Sequence, residues 1–221
     1  MPPGRPSDLM AYHRVLADKL GPQHWWPAET PFEVIVGAIL TQNTSWKNVE
    51  AAIANLKREK LLSPIAMERV SVRRLERLIR SSGYFRQKAK KLKAFVRFLR
   101  LEYGGALKRM FRTPTAELRE KLLGVHGIGP ETADSILLYA ARREVFVVDA
   151  YTKRILSRHG WTEEDVDYEE MRSLVENNLP RDVSLYNEFH AQFVQVAKNW
   201  CRPRDPRCSE CPLGPFLEAS S

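Results

Sequence analysis

Residues 122–133 read LLGVHGIGPETA, and this stretch decides the expected fold. It contains three glycines, Gly124, Gly127 and Gly129. Such glycines permit a tight turn with positive φ and a close backbone approach to another molecule, while Pro130 suits the first turn of a following helix. The stretch predicts two short helices, held together by Val125 and Ile128, around a turn whose free amides can bind a phosphate oxygen. An ordinary packing loop is the alternative.

Nearly all of the remaining chain predicts helix, because apolar residues recur at three- and four-residue spacing and sustained two-residue alternation is absent. Capping residues, glycines and prolines divide it into helices at about 8–20 (capped by Ser7 or Asp8), 32–40, 45–60, 64–81, 85–103, 114–123, 130–142, 150–159, 167–178 and 185–200. Segment 32–40 is apolar nearly all round, which indicates a central helix. Only residues 146–148 resemble a strand, so we expect an all-α protein.

Composition narrows the class of partner. The 221 residues carry a formal charge of +8, with a pI near 9.5. This charge is compatible with a polyanionic partner such as nucleic acid and also with a merely basic surface, so the sequence motifs must decide between them. No apolar run reaches the ~20 residues of a membrane span, and the first ten residues lack an apolar signal core. We therefore expect a cytoplasmic, nucleoid-associated protein.

The motifs resemble those of the helix-hairpin-helix DNA glycosylases, whose best-known member is endonuclease III. The resemblance is carried by the hairpin, by Val148-Asp149 some sixteen residues further on, by segments 39–44 and 83–89, and by a cysteine-containing tail. It implies two α-helical lobes, residues 24–137 and residues 1–23 plus 138–221, with a helix-hairpin-helix motif (about 115–141) at their junction. It also implies a monomeric base-excision-repair enzyme that acts on double-stranded DNA containing a damaged base.

The resemblance assigns the catalytic role to Asp149. Breaking an N-glycosidic bond builds positive charge on the sugar, which a fixed carboxylate stabilises while it orients the attacking water. A helix cap is the alternative role of this residue type, and the two are compatible. Bifunctional relatives carry a lysine two residues after the last glycine, where its amine forms a Schiff base. This chain has Glu131 there, so we expect hydrolysis without lyase activity, unless Lys153 or Lys198 supplies an amine.

Aromatic residues flank the expected central helix. Trp25, Trp26 and Pro27 precede it and Trp46 follows its polar end, an arrangement that resembles the bacterial 3-methyladenine DNA glycosylase III branch. In that branch aromatic faces sandwich an alkylated purine, and a cationic purine is attracted to electron-rich rings. The alternatives are core packing for the tryptophans and an oxidised pyrimidine as the substrate.

Further residues are expected to contact DNA. Gln42 and Asn43 match a family position that fills the gap left by the flipped nucleotide or contacts the opposite strand, and a solvated polar side chain is the alternative. The basic run 86–93 either contacts phosphate or forms a solvated helix face. The expected DNA-binding set is Gln42, Asn43, Gly124, His126, Gly127, Gly129, Thr132, Lys153 and Arg154. A non-catalytic helix-hairpin-helix module is the rival function, since such units often act only as phosphate clamps.

The three cysteines, Cys201, Cys208 and Cys211, fall within eleven residues near the C-terminus, which suits metal ligation better than a disulfide framework. Relatives with a [4Fe–4S] cluster show the spacing C-x6-C-x2-C-x5-C. The cysteines fit the first three positions, but the fourth is Leu217. The sequence leaves open a three-thiolate cluster, a different metal and a loop without a cofactor. A ferredoxin-like electron carrier is disfavoured by the incomplete ligand set and the basic charge.

Overall fold

The computed structural model describes residues 8–217, and this part of the chain consists of helices and turns without a β-strand. The all-α prediction is confirmed, and Ser7, one of the two expected caps, lies outside the described residues. Within them the α-helices are α1 Leu9–Leu20, α2 Pro31–Leu40, α3 Trp46–Arg58, α4 Pro64–Arg69, α5 Val72–Leu78, α6 Phe85–Tyr103, α7 Leu107–Met110, α8 Thr115–Leu123, α9 Pro130–Ser135, α10 Ala150–Arg158, α11 Tyr168–Asn177 and α12 Val183–Asn199. None of these helices combines the length and apolar composition needed to cross a bilayer.

Three local features differ from the sequence expectation. The helix expected over 64–81 is divided, because Val70 leaves the helical conformation (ψ 139°) and the Ser71 hydroxyl accepts the Arg74 amide at 3.3 Å to begin α5. Helix α9 continues as a π-helical turn, Ile136–Ala140, and the short α7 is an addition. Local capping geometry thus overrides a continuous helical periodicity.

The chain forms two compact units. The terminal unit contains the described residues up to Pro27 and from Glu144 onward, and the central unit contains Ala28–Arg143. Helix α2 forms the core of the central unit, since every residue from Phe32 to Leu40 is buried. Its start follows from Thr30, whose hydroxyl accepts the Glu33 amide at 3.2 Å, and from a proline in the first turn.

Lysines of α6 donate hydrogen bonds to carbonyl groups at helix ends of the central unit. Lys88 is only 2% exposed, and its Nζ donates to the carbonyl oxygens of Leu40 at 2.9 Å and Ser82 at 2.6 Å. Lys93 Nζ donates to the carbonyl oxygens of Met67 and Glu68 at the end of α4. Because the last carbonyls of a helix have no partner within it, these ammonium groups cap the helix ends.

Burial lowers the pKa of Lys88 to about 8, and the neighbouring Lys91 charge acts in the same direction. In the Lys88→Met variant two buried carbonyl oxygens lose their donor. We expect its free energy of unfolding near neutral pH to fall by about 2–4 kcal/mol. Urea unfolding measures this loss, with Lys90→Met as the matched control because Lys90 is exposed on the same helix.

The same residue predicts a pH dependence. The folded-state pKa of about 8 lies below the ordinary value of 10.5, so between these two values the unfolded chain binds more protons at this position. Wild-type stability therefore gains a contribution from Lys88 as the pH rises through this window, and the Lys88→Met variant lacks it. Equal pH dependence and equal stability of the Lys88→Met and Lys90→Met variants would contradict the assignment.

The terminal unit packs α12 against α1 and α10. Tyr12 on α1 anchors the region before the C-terminal loop: its hydroxyl lies 2.9 Å from His159 Nδ1 and accepts the Trp161 indole N–H at 3.2 Å. Its ring also packs on Phe216, with the centroids 4.8 Å apart. Burial lowers the pKa of His159 to about 4, so this imidazole is neutral at physiological pH.

Candidate active site

Asp149 begins α10 in the terminal unit. Its backbone is extended, and its Oδ1 accepts the Thr152 amide at 2.7 Å, so the side chain is the N-cap of the helix. The second carboxylate oxygen, Oδ2, lies 3.4 Å from Nε2 of His190 on α12. The side chain of Asp149 is 15% exposed and that of His190 is 7% exposed. The carboxylate is therefore fixed by two helices and still reaches solvent.

The surroundings of Asp149 keep it ionised. Burial by itself raises the pKa of the carboxyl group, but the nearby His190 and the hydrogen bonding to Thr152 outweigh burial and hold the pKa below its ordinary value of 3.8. The N-terminus of α10 also favours negative charge at this position. At neutral pH the site presents a fixed negative charge, which is what a developing cation requires. His190 was not predicted from the sequence, because it is far from the hairpin motif along the chain.

Neither lysine considered as a substitute amine is joined to Asp149 among the described residues. Lys153 Nζ donates to the Val166 carbonyl oxygen at 2.9 Å. Lys198 is exposed in the last turn of α12, eight residues beyond His190 and thus about 12 Å further along the helix axis. Lys153 therefore has a partner other than Asp149, and Lys198 lies about two turns of α12 beyond His190.

The predicted hairpin joins α8 to α9 in the central unit. Of its three glycines only Gly127 has positive φ, at 83°; Gly124 ends α8 with φ −71°, and Gly129 is extended and caps α9. Positive φ is thus required at one glycine rather than at all three. The backbone amides of Gly127 and Gly129 donate to no backbone carbonyl of the described chain, so they are available to an incoming acceptor. His126, in the same turn, is exposed.

Gln42 and Lys91 hold this turn in place. Gln42 Nε2 donates to the Gly127 carbonyl oxygen at 3.1 Å and to the Thr132 hydroxyl at 2.9 Å, and Lys91 Nζ donates to Gln42 Oε1. The aliphatic part of Lys91 covers Gly127 so closely that a Cβ there would lie 2.3 Å from Lys91 Cγ. The side chains of Gln42 and Thr132 are therefore used inside the protein in this structure. The neighbouring Asn43 is exposed and has φ 52°.

An ion pair clamps the two helices of the hairpin. Arg119 on α8 donates through Nε to Asp134 Oδ1 at 2.7 Å and through Nη2 to Asp134 Oδ2 at 3.1 Å. Asp134 is fully buried on α9. A bidentate pair fixes direction as well as distance, so it sets the geometry of α8 relative to α9. This pair was not predicted from the sequence, because neither residue belongs to the glycine motif.

The structure places the predicted base-pocket residues in both units. In the terminal unit Trp25 and Trp26 are half-buried, with ring centroids 5.1 Å apart at an interplanar angle of 55°, and Pro27 is exposed. In the central unit Trp46 is the first residue of α3 and is also half-buried, and its indole N–H donates to Glu50 Oε1 at 2.8 Å. None of the three tryptophans is fully buried, which disfavours pure core packing.

Two other expected DNA contacts have internal partners. Lys153 is held by Val166, as described above. Arg154 donates through Nε to the Cys201 carbonyl oxygen at 2.7 Å, and its guanidinium lies 5.3 Å from the centre of the Tyr151 ring. These contacts favour a structural role in connecting α10 to the cysteine loop. Glu131, at the position where bifunctional relatives have lysine, is exposed in the first turn of α9.

The cysteine loop does not complete a four-thiolate ligand set. Cys201, Cys208, Cys211 and Leu217 line one small cavity of about 30 Å³, so the hydrocarbon side chain lies where the resemblance expects a fourth thiolate. Arg158 Nη1 donates to Cys201 Sγ at 3.3 Å, and burial raises the pKa of the Cys211 thiol. Within residues 8–217 no cluster of three or more His, Cys, Asp or Glu side chains has a geometry suited to a metal ion. These residues therefore do not fit a conventional [4Fe–4S] site.

The fold is that of the helical DNA glycosylases, and comparison with known proteins defines the family. The family described as HhH-GPD superfamily base excision DNA repair protein matches residues 36–181. A Methanocaldococcus jannaschii protein named "Putative DNA repair glycosylase" is 50% identical over 206 residues, which cover 92% of this chain and 93% of that protein. Endonuclease III of Thermotoga maritima is 31% identical, over 82% of this chain and 79% of the relative.

Solved structures of DNA glycosylases share the fold of this chain. The 3-methyladenine DNA glycosylase of H. pylori, bound to 1,N6-ethenoadenine, matches with a TM-score of 0.75 and 30% identity, covering 86% of this chain and 95% of that one. An endonuclease III trapped as a covalent intermediate with DNA shares the fold, with a TM-score of 0.80 over 95% of both chains at 22% identity. The chain belongs to the HhH-GPD superfamily of base excision DNA repair proteins and is a DNA glycosylase of that family.

The turn geometry generates a prediction for Gly127. In the Gly127→Ala variant a Cβ meets the Lys91 stem and the backbone retains φ 83°, so we expect a loss of about 2–4 kcal/mol in the free energy of unfolding. Adding Lys91→Ala removes the collision but not the backbone strain, so the double variant should recover only part of the loss. Chemical unfolding measures both variants.

Gly129→Ala is the matched control. No atom lies within 4 Å of a Cβ placed at Gly129 and φ is −95°, so we expect a change below about 1 kcal/mol. Equal effects of the two alanine substitutions would show that Lys91 and the positive φ do not constrain the turn.

Proposed function

We propose that this protein hydrolyses the N-glycosidic bond of an alkylated purine of the 3-methyladenine type in double-stranded DNA, with Asp149 as the catalytic carboxylate. The observation that carries the proposal is the geometry of Asp149, which is ionised, anchored by the Thr152 amide and placed 3.4 Å from His190. A purely DNA-binding module requires no such carboxylate. The glycosylase of H. pylori named for 3-methyladenine supports the choice of substrate.

In the proposed reaction the bond between the sugar C1′ and the base nitrogen breaks, and the bonding electrons leave with the base. The positive charge that builds on the sugar is stabilised by the Asp149 carboxylate. A water molecule adds its oxygen to C1′ and releases a proton. An abasic site and a free base result. His190 acts as a positioning residue that keeps the carboxylate ionised and oriented.

The substrate assignment depends on the aromatic residues. Trp25, Trp26, Pro27 and Trp46 offer partly exposed apolar surface for contact with an extruded base. A methylated purine carries positive charge, which an electron-rich ring attracts. An oxidised pyrimidine is the second candidate substrate, because the 31% identical relative from T. maritima is an endonuclease III.

DNA binding is proposed to use the hairpin turn. The amides of Gly127 and Gly129 are available to a phosphate oxygen, and the solvent-accessible side chains of His126 and Asn43 can reach the same backbone. Gln42 and Thr132 then act as positioning residues for the turn. The neighbouring structures of endonuclease III in complex with DNA support this assignment at the level of the fold.

The proposed role of the Asp149 carboxylate can be tested by removing its charge. In the Asp149→Asn variant the charge is lost but asparagine still caps α10, so we expect base release to fall by about 100-fold or more while stability changes by less than about 1 kcal/mol. The measurement is the rate of 3-methyladenine release from methylated duplex DNA, with thymine glycol release from an oxidised duplex in parallel.

Asp167→Asn is the control, since Asp167 caps α11 in the same unit with the same geometry. Wild-type activity in Asp149→Asn would refute the catalytic role. Faster release of thymine glycol than of 3-methyladenine would refute the substrate while leaving the glycosylase intact.

The proposed reaction has no lyase step. Glu131 cannot form an imine. Lys153 Nζ donates to the Val166 carbonyl oxygen, and Lys198 lies eight residues beyond His190 on α12. We therefore expect borohydride reduction to trap no covalent adduct between the protein and a duplex that contains the lesion. An efficient adduct would contradict the monofunctional mechanism, and its loss in Lys153→Gln or Lys198→Gln would identify the amine.

A further inference from the structure

A surface groove of about 690 Å³ lies in the central unit, along the face of α6 next to the end of α8. We call it the α6–α8 groove. Its apolar lining consists of Val72, Ala94, Phe98, Leu101 and Val125. Gly124 and His126 of the hairpin also line the groove, so it adjoins the turn. It is distinct from the Asp149 site, which belongs to the terminal unit.

The apolar surface in this groove is unusually exposed. Leu101 is 60% exposed and Val72 is 42% exposed, and both rank among the few large apolar residues with high exposure in the described chain. Leu123, at 36%, directly precedes the groove residue Gly124. A concentration of exposed apolar side chains in a concave surface is typical of a site for another protein.

The rim of the groove is basic. Lys90 is exposed and Arg97 is accessible, and no side-chain hydrogen bond or ion pair ties them to other described residues. Two further lining cations are already engaged: Lys93 donates to carbonyl groups at the end of α4, and Lys121 Nζ lies 3.0 Å from Glu117 Oε1. Glu102 is the one acidic residue of the lining. The groove therefore presents two available positive charges above an apolar floor.

We propose that the α6–α8 groove binds a short, acidic, amphipathic peptide segment of a partner protein. Apolar side chains spaced three or four residues apart would occupy the floor, and carboxylates would face Lys90 and Arg97. Duplex DNA matches the charge but not the floor, because a phosphate backbone gains nothing from Val72, Phe98 and Leu101. The combination of exposed hydrocarbon and available cations thus favours a peptide over nucleic acid.

The test uses a phage-displayed library of random peptides, selected against the full-length protein. We expect enrichment of sequences that combine acidic residues with apolar residues at helical spacing. An enriched peptide is then labelled with fluorescein, and its Kd is measured by anisotropy. The double variant Lys90→Glu/Arg97→Glu and the single variant Leu101→Ser should each weaken binding by about 10-fold or more.

Matched controls separate the groove from general charge and hydrophobicity. Lys108→Glu/Arg112→Glu reverses two exposed charges outside the groove, and Ile65→Ser removes an apolar side chain that is 61% exposed. Both should bind the peptide as the wild type does. Thermal unfolding checks that all the variants remain folded.

Three results would overturn the proposal: a selection that enriches no sequence, enrichment of neutral or basic sequences, or binding that the groove variants and the controls share equally. A fourth result that would overturn it comes from measuring the binding of an undamaged DNA duplex. If Lys90→Glu/Arg97→Glu weakens duplex binding and lowers the salt slope by about 2, whereas its control does not, the groove is a path for DNA.

Discussion

The last carbonyl oxygens of a helix need hydrogen-bond donors from outside it, and two helices of the central unit receive them from α6. Lys88 provides donors to the end of the central helix α2, and Lys93 does so for α4. Lys91, between them, reaches the hairpin through Gln42. The conformation of the proposed DNA-binding turn is therefore linked, by three neighbouring lysines, to the packing of the core. A long amphipathic helix acts as the scaffold for elements that are far apart in sequence.

Much of the fold follows from local sequence signals. Threonine and proline begin α2, glycines form the hairpin turn, and Asp149 caps α10, each by an interaction within a few residues. The basic run 86–93 shows where local reasoning ends. The sequence predicts phosphate contact or a solvated helix face for this run, but Lys88 lies on the same face of α6 as the buried Leu92 and Leu99 and is itself buried. The sequence alone cannot identify the carbonyls that it meets.

The candidate site likewise contains residues that the sequence predicts and residues that it does not. The carboxylate and the turn were identified from motifs, because each is defined by spacing along the chain. His190 and the pair Arg119–Asp134 were not, since they arise only when helices distant in sequence pack together. The cysteine loop was predicted in part. The sequence already shows Leu217 at the fourth ligand position, and the structure adds that this residue lines the same cavity as the three cysteines.

The capping of α10 by Asp149 has a chemical consequence. A carboxylate that is stabilised by a backbone amide, an imidazole and a helix terminus has low basicity, so it removes a proton from water only weakly. In the proposed reaction its contribution therefore lies in the electrostatic field that it exerts on the developing cation of the sugar. Such a group suits a base that departs readily without prior protonation by the protein, and a quaternised ring nitrogen gives a purine that property. Under the proposed function, the hydrogen bond that starts α10 thereby favours the release of nucleobases that depart readily.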